Sequence, residues 1–144
     1  MEAIIDWQGD VRFHATSGSG HTITLDGPPD AGGQNAGARP MELLLMGVGA
    51  CSAYDVVTIL KKGREDVEGC KAVLKAERAS EAPKVFTEIT MHFIVTGTNL
   101  NDAKVARAVE LSAEKYCSAS IMLSRAGVDI QHTYEVIQAK KANS

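Results

Sequence analysis

Short segments that alternate apolar with polar residues occupy the first part of the chain. They cover residues 3–8, 11–15 and 21–26. Gly9-Asp10 and a Ser/Gly run at 17–20 separate these segments and are typical of turns. The pattern predicts three short strands joined as a meander.

A different composition follows at residues 27–40, where fourteen residues include four glycines and three prolines. So many helix- and strand-breaking residues predict a long loop. Long loops inside a compact domain commonly cover a site, so we expect this segment to act as a lid.

The stretch 41–62 predicts a long apolar helix, in which Glu42 and Asp55 are the only charged residues before residue 61. Apolar residues occupy nearly every angle around it, which predicts burial on all sides, partly by a second chain. Its length would suffice to cross a membrane, but its two glycines, Gly47 and Gly49, and its two carboxylates favour a core helix.

The second half predicts two more half-buried strands, at 68–79 and 85–95, followed by a second helix capped by Asn101 or Asn99. A last strand covers 128–137 and a polar tail 139–144. The order β-β-β-α-β-β-α-β predicts an α+β fold in a single domain, residues 1–144.

Composition and net charge exclude several classes of protein and of partner. The 144 residues are 44% apolar and 23% charged with a net charge of −3, which is typical of a folded soluble protein and excludes intrinsic disorder. Without a basic run, we expect no nucleic-acid partner and no membrane partner. The N-terminus does not resemble a secretory signal, so we expect a reducing cytoplasm and free thiols.

Cys51 is the first candidate for chemistry, because it lies in the middle of the long helix with Gly47 and Asp55 one turn to either side. A glycine there leaves space for a small molecule beside the sulfur. Two interpretations stay open: a core cysteine that only packs, or a reactive thiol. A neighbouring carboxylate disfavours a thiolate unless a cation intervenes.

Arg39, where the loop meets the helix, is the candidate cation, and a solvated loop arginine is the alternative. Glu42 either stabilises the helix N-terminus or orients Arg39. Cys117, at the predicted end of the second helix, is consistent with a resolving thiol for Cys51. Cys70 lies on the apolar face of a strand and is expected to pack.

Other chemistries find no support in the sequence. The four histidines fall on separate predicted strands, and no HxH, HExxH or CxxC pattern occurs. We therefore expect no metal site and no cofactor. The glycine-rich loop lacks the GK[ST] of a phosphate-binding loop, and no nucleophile elbow is present.

Three segments resemble the OsmC/Ohr family of thiol-dependent hydroperoxide reductases: Ala-Arg-Pro-Met-Glu-Leu-Leu-Leu at 38–45, Gly-Ala-Cys at 49–51, and Lys-Tyr-Cys-Ser at 115–118. The run 51–57 is most similar to the YhfA-like subgroup. Two positions depart from the Ohr pattern: Met41 follows the proline where Ohr has the acid, and Ser118 stands where Ohr has a proline.

The resemblance implies an intertwined homodimer with two cysteine-bearing helices at its centre. It also implies that Cys51 attacks an organic hydroperoxide or hydrogen peroxide and becomes a sulfenic acid, which Cys117 converts to a disulfide. A dithiol reductant would reopen that disulfide. Arg39 would keep Cys51 ionised, and Glu42 would hold Arg39. A small-ligand-binding module or a redox-sensing protein of the same fold is the alternative.

Overall fold

A computed structural model describes residues 1–140 of the chain. It contains two compact units, Met1–Leu44 and Leu45–Ser144. A polar tail was predicted at 139–144, and its residues from 141 on lie outside the described part of the chain. Both units mix strands with helical segments, which confirms the predicted α+β class. The single domain stays a prediction.

The first unit contains the predicted meander. Strands β1 (Ala3–Trp7), β2 (Phe13–Ser17) and β3 (Thr22–Leu25) pair antiparallel in chain order. Every residue of β1 is exposed. The Gly9-Asp10 turn adopts positive φ at both residues, which explains why a glycine begins it.

The loop after β3 is organised around Asp26, a buried carboxylate. Its Oδ1 accepts the Gly27 N–H at 2.8 Å, and its Oδ2 accepts the N–H groups of Gln34 at 3.0 Å and Ala36 at 3.1 Å. Arg12 Nη2 lies 3.4 Å from the same Oδ2. The segment predicted as a lid is therefore fastened to a buried anion within its own unit.

Hydrogen-bond donors around Asp26 together affect its pKa more than burial does. Burial opposes ionisation of Asp26, but the N–H groups of Ala36, Gln34 and Gly27 and the charge of Arg12 lower its pKa from 3.8 to about 2. Asp26 is therefore a fixed negative charge that holds the loop at neutral pH.

Helix α1 (Pro40–Lys62) begins at the proline and matches the predicted segment. The single chain buries one side of it, and burial of the other sides by a second chain stays a prediction. Its buried positions form one stripe with four-residue spacing: Val48, Ser52, Val56 and Leu60, with Gly49 beside them. By length and hydropathy alone α1 would also pass as a membrane span, as many core helices do.

The second unit is built on a three-stranded sheet in the order β4-β5-β6. Strand β4 (Asp66–Arg78) runs antiparallel to β5 (Phe86–Thr98), and β6 (Asp129–Gln138) runs parallel to β5. The apolar positions of β5 alternate as predicted and form the core: Ile89, Met91, Phe93 and Val95 are fully buried.

The connection between β5 and β6 differs from the single helix that was predicted. Helix α2 (Asp102–Leu111) is capped by Asn101, as expected, through its side chain and the Lys104 N–H. It gives way to a π-helical turn, Ser112–Tyr116, and a separate helix α3 (Ser118–Arg125) follows. Cys117 therefore does not end a helix; it begins one.

Candidate functional site

Helix α1 and the start of α3 bring two cysteines and one carboxylate together. Cys51 and Asp55 lie half-buried one turn apart on α1, and Cys117 is fully buried at the start of α3. The two Sγ atoms and one carboxylate oxygen of Asp55 all lie within 4.8 Å of one another. The sequence placed Asp55 on the face of Cys51, and the structure adds Cys117 to that face.

The backbone turn at Cys117 makes its sulfur a helix cap. Its φ of −75° and ψ of 98° are extended, and its Sγ accepts the Ser120 N–H at 3.4 Å. The Ser52 hydroxyl donates to the same sulfur at 3.0 Å. Burial disfavours a Cys117 thiolate, but the hydrogen bonds from Ser120 and Ser52 outweigh it and lower the pKa of Cys117.

The pKa of Cys51 shifts in the opposite direction to that of Cys117. Burial raises the pKa of its thiol, and the neighbouring Cys117 and Asp55 raise it further. The backbone N–H of Ala119, in the first turn of α3, acts in the other direction. Cys117 is thus the more readily ionised sulfur of the pair, and Cys51 is the more accessible one.

Asp55 has a single well-aligned donor. The Ser112 hydroxyl lies 3.1 Å from Asp55 Oδ2 and 3.4 Å from the Ser52 carbonyl oxygen. Among the described residues of the second unit, no lysine or arginine forms an ion pair with Asp55. The carboxylate therefore faces two sulfurs without a compensating cation from its own unit.

A cavity of about 500 Å³ lies beside Asp55. Its walls come from α1 and from the segment that leads to Cys117. Asp55, Thr58 and Lys62 are its polar or charged lining residues, and four others are apolar or aromatic: Tyr54, Ile59, Leu111 and Tyr116. The side chains of Tyr54 and Tyr116 are both more than half exposed at its mouth.

Cys70 stands outside this cluster. It lies half-buried on β4, paired in register with Val95 of the core strand. Burial raises the pKa of its thiol. These features agree with the prediction that Cys70 packs in a strand.

Arg39 and Glu42 meet each other in the first unit. Glu42 Oε1 accepts the Arg39 backbone N–H at 2.9 Å and lies 3.8 Å from the guanidinium Nε. Arg39 Nη1 also donates to Asn35 Oδ1 at 2.7 Å and to the Gly37 carbonyl at 3.1 Å. Glu42 therefore does both things considered for it: it satisfies a donor at the start of α1 and it contacts Arg39. Their action on Cys51 stays a prediction.

Three serines of the site were missed by the sequence analysis: Ser52, Ser112 and Ser120. All three are buried; Ser52 and Ser120 donate hydrogen bonds to the Cys117 sulfur, and Ser112 donates to Asp55. The available signal was a polar residue on the inner stripe of an apolar helix, because a buried hydroxyl needs a partner.

Comparisons with known proteins agree with this architecture. The family model for OsmC-like protein matches residues 32–133. Protein YhfA of Escherichia coli (strain K12) is 53% identical over 142 residues, covering 96% of this chain and all of that protein.

Several solved structures are also similar to this chain. A protein from Aquifex aeolicus VF5 is 32% identical, covers 96% of this chain and 97% of its own, and superposes with a TM-score of 0.83. An organic hydroperoxide resistance protein OsmC from Legionella pneumophila is 20% identical, with coverages of 94% and 96% and a TM-score of 0.71. At that identity the likeness concerns the fold alone. By the family model and the identity to YhfA, the chain belongs to the OsmC-like family, within the OsmC/Ohr group.

Proposed function

We propose that this protein is a cysteine-based peroxidase of the cytoplasm that reduces organic hydroperoxides or hydrogen peroxide at Cys51 and Cys117. The observation that carries the proposal is the approach of the two sulfur atoms to within 4.8 Å of each other. A disulfide requires the two sulfurs to approach to about 2.05 Å, so the side chains of α1 and of the start of α3 must close the remaining gap. Membership of a group that includes an organic hydroperoxide resistance protein supports the same reaction.

The reaction follows from the different acidities of the two thiols. Cys117 as thiolate takes the proton of Cys51 while Cys51 Sγ attacks the distal peroxide oxygen. The O–O bond breaks, Cys51 becomes a sulfenic acid, and the departing alkoxide takes the proton back from Cys117. Cys117 thiolate then attacks the sulfenic sulfur, which releases hydroxide and forms the disulfide. A dithiol reductant restores both thiols by exchange.

The cavity beside Asp55 suits the organic part of a hydroperoxide. Its four apolar or aromatic residues would contact an alkyl or aryl group, and Asp55, which lies one helical turn from Cys51, connects the cavity with the sulfur cluster. We therefore expect bulky organic hydroperoxides to react better than hydrogen peroxide.

A second copy of the chain is part of the proposal. Leu44, Met46 and Tyr54 of α1 are each more than half exposed in the single chain, and an apolar helix of this kind is stabilised by further burial. A homodimer would supply it, as the family resemblance implies. Light scattering of the purified protein tests this, and a monomer at micromolar concentration would contradict it.

The decisive experiment measures dithiothreitol-dependent loss of cumene hydroperoxide. Cys51→Ser should abolish turnover, because no other group receives the peroxide oxygen. Cys117→Ser should slow formation of the sulfenic acid, because it removes the group that takes the Cys51 proton, and it should prevent the disulfide; a sulfenic-acid reagent added in the absence of dithiothreitol would trap the sulfenic acid that does form. Cys70→Ala, which lacks the third thiol, is the matched control and should turn over like the unaltered protein.

Other outcomes would favour the alternatives. Unchanged turnover in Cys51→Ser would overturn the assignment of Cys51. A single stoichiometric loss of two thiols without further cycles would indicate a redox sensor. No thiol loss at all would favour a small-ligand-binding module.

A further inference from the structure

We propose that Cys51, Asp55 and Cys117 form a binding site for a thiophilic divalent metal ion of the Zn²⁺ class. Two sulfurs and one carboxylate oxygen, all within 4.8 Å of one another, are a donor set that Zn²⁺ accepts. Hard cations such as Mg²⁺ and Ca²⁺ require oxygen ligands and are disfavoured by the two sulfurs.

The spacing of the three donors is close to what a tetrahedral ion needs. Bond lengths of about 2.3 Å to sulfur and 2.0 Å to oxygen place neighbouring ligand atoms about 3.5 to 3.8 Å apart. Because no pair of these atoms exceeds 4.8 Å, contraction by about 1.3 Å at most completes the geometry. Cys51 and Asp55 are only half-buried, so water can occupy the fourth position.

Hydrogen bonds already hold two of the three ligands in place. The Ser112 hydroxyl donates to Asp55 Oδ2 at 3.1 Å, and the Ser52 hydroxyl donates to Cys117 Sγ at 3.0 Å. Such outer contacts orient metal ligands and leave the remaining lone pairs free for the ion. No ligand would have to break these bonds in order to bind.

Charge provides the second argument. A carboxylate that faces two thiols repels both thiolates, and no basic side chain in the described part of the second unit pairs with it. A divalent cation among the three groups converts that repulsion into attraction. Because Cys117 is the more readily ionised sulfur, binding chiefly releases the proton of Cys51, and the two thiolates, the carboxylate and the ion together carry a net charge of −1.

The site goes beyond the peroxidase proposal and does not depend on it, since it requires the thiols but no turnover. The two states exclude each other, because a disulfide offers no thiolate and a metal-bound sulfur is a weaker nucleophile. No metal site was predicted from the sequence, because the histidine-pair and CxxC patterns typical of zinc sites do not occur in it. This ligand set combines an i, i+4 pair on one helix with a distant helix cap.

The experiment titrates the reduced, metal-free full chain with Co²⁺ and, separately, with Zn²⁺ against a chromophoric chelator. We expect one ion per chain, a sulfur-to-cobalt charge-transfer band, and release of protons as Zn²⁺ binds, at least the one held by Cys51. Asp55→Asn retains both thiols and should weaken Zn²⁺ binding by at least about tenfold. Cys51→Ser should lose about half of the band intensity and most of the affinity, and Cys70→Ala should bind like the unaltered chain.

Two results would overturn the site: absence of the charge-transfer band in the reduced chain, or equal Zn²⁺ affinity in Asp55→Asn, Cys51→Ser and the unaltered protein. Circular dichroism confirms that each variant is folded, and both variants change half-buried positions. Peroxide turnover is measured on the same preparations with a chelator present. If the chain reduces peroxide but binds no metal, only the metal site is refuted. If it binds metal but does not reduce peroxide, only the peroxidase proposal is refuted.

Discussion

Asp26 in the first unit and Asp55 in the second place the same side chain in opposite surroundings. Asp26 receives three backbone N–H groups and lies beside the Arg12 guanidinium, so its oxygens are fully used. Asp55 receives one hydroxyl and faces two sulfurs. A carboxylate whose lone pairs are filled by its own chain holds structure, whereas one with free lone pairs is available to a ligand. Three changes test this difference.

The largest effect is expected from Asp26→Asn. An amide cannot supply the charge that the Gly27, Gln34 and Ala36 N–H groups and Arg12 require, and it adds donors where acceptors are needed. The free energy of unfolding should fall more than in any other variant discussed here. Urea denaturation followed by circular dichroism measures the loss.

The pH dependence of the same variant provides its control. The pKa of Asp26 is depressed from 3.8 to about 2, so its ionised form stabilises the fold fully above pH 4. That contribution declines as the pH falls from about 4 to about 2, and it is absent in Asp26→Asn. If the free energy of unfolding fell with pH in the same way in both proteins between about pH 4 and about pH 2, the ionised Asp26 carboxylate would not be what holds the loop.

Asp55→Asn should change the reactivity of Cys51 rather than the stability of the fold. The free energy of unfolding should change by less than about 1 kcal/mol, because the amide oxygen can still accept from Ser112. Loss of the carboxylate charge should lower the pKa of Cys51 and speed its alkylation at pH 7 by up to about tenfold, the effect of one pKa unit.

Iodoacetamide labelling with a chelator present, read by peptide mass, measures the rate at Cys51. A Cys70→Ala background removes the third thiol and confirms that the label is on the cluster. A rate equal to or below that of the unaltered chain would show that Asp55 does not act on Cys51.

The smallest effect on thiol reactivity is expected from Ser52→Ala. Removal of the hydroxyl should cost about 1 kcal/mol of stability and raise the pKa of Cys117, because the thiolate loses one donor. Disulfide formation at pH 7 should slow by about threefold, and the difference should vanish at pH values where Cys117 is ionised in both proteins. Acid-quenched mass analysis after addition of peroxide measures the rate. Ser124→Ala, an exposed serine of α3, is the matched control, and an equal slowing there would exclude the hydrogen bond as the cause.

Sequence patterns predicted the elements whose burial is regular. The alternation of β5, the proline start of α1 and the Asn101 cap all follow from local chemistry, and each is present in the structure. The break at 112–116 was not predicted, because a π-helical turn retains helical composition and differs only in its hydrogen bonds. Helix α3 was not predicted, because the second helix was expected to end at Cys117.

The candidate site was predicted only in part. The helical spacing of Cys51 and Asp55 follows from the sequence, because residues four apart share a face. The position of Cys117 depends on its extended backbone at the cap, and its contact with Ser52 joins residues far apart in the chain. The loop around Asp26 was predicted as a lid because glycine and proline content reveals irregular backbone but not the buried anion that fixes it.

The sulfur of Cys117 also gives α3 a conditional stability. As a thiolate it is a strong acceptor for the Ser120 N–H at the first turn, whereas a sulfur within a disulfide is neutral and accepts weakly. Oxidation of Cys117 would therefore loosen the start of a helix whose Met122 is 65% exposed. The surface that α3 presents to other molecules would then depend on the redox state of a buried atom, which is the physical requirement for passing an oxidant signal to a partner.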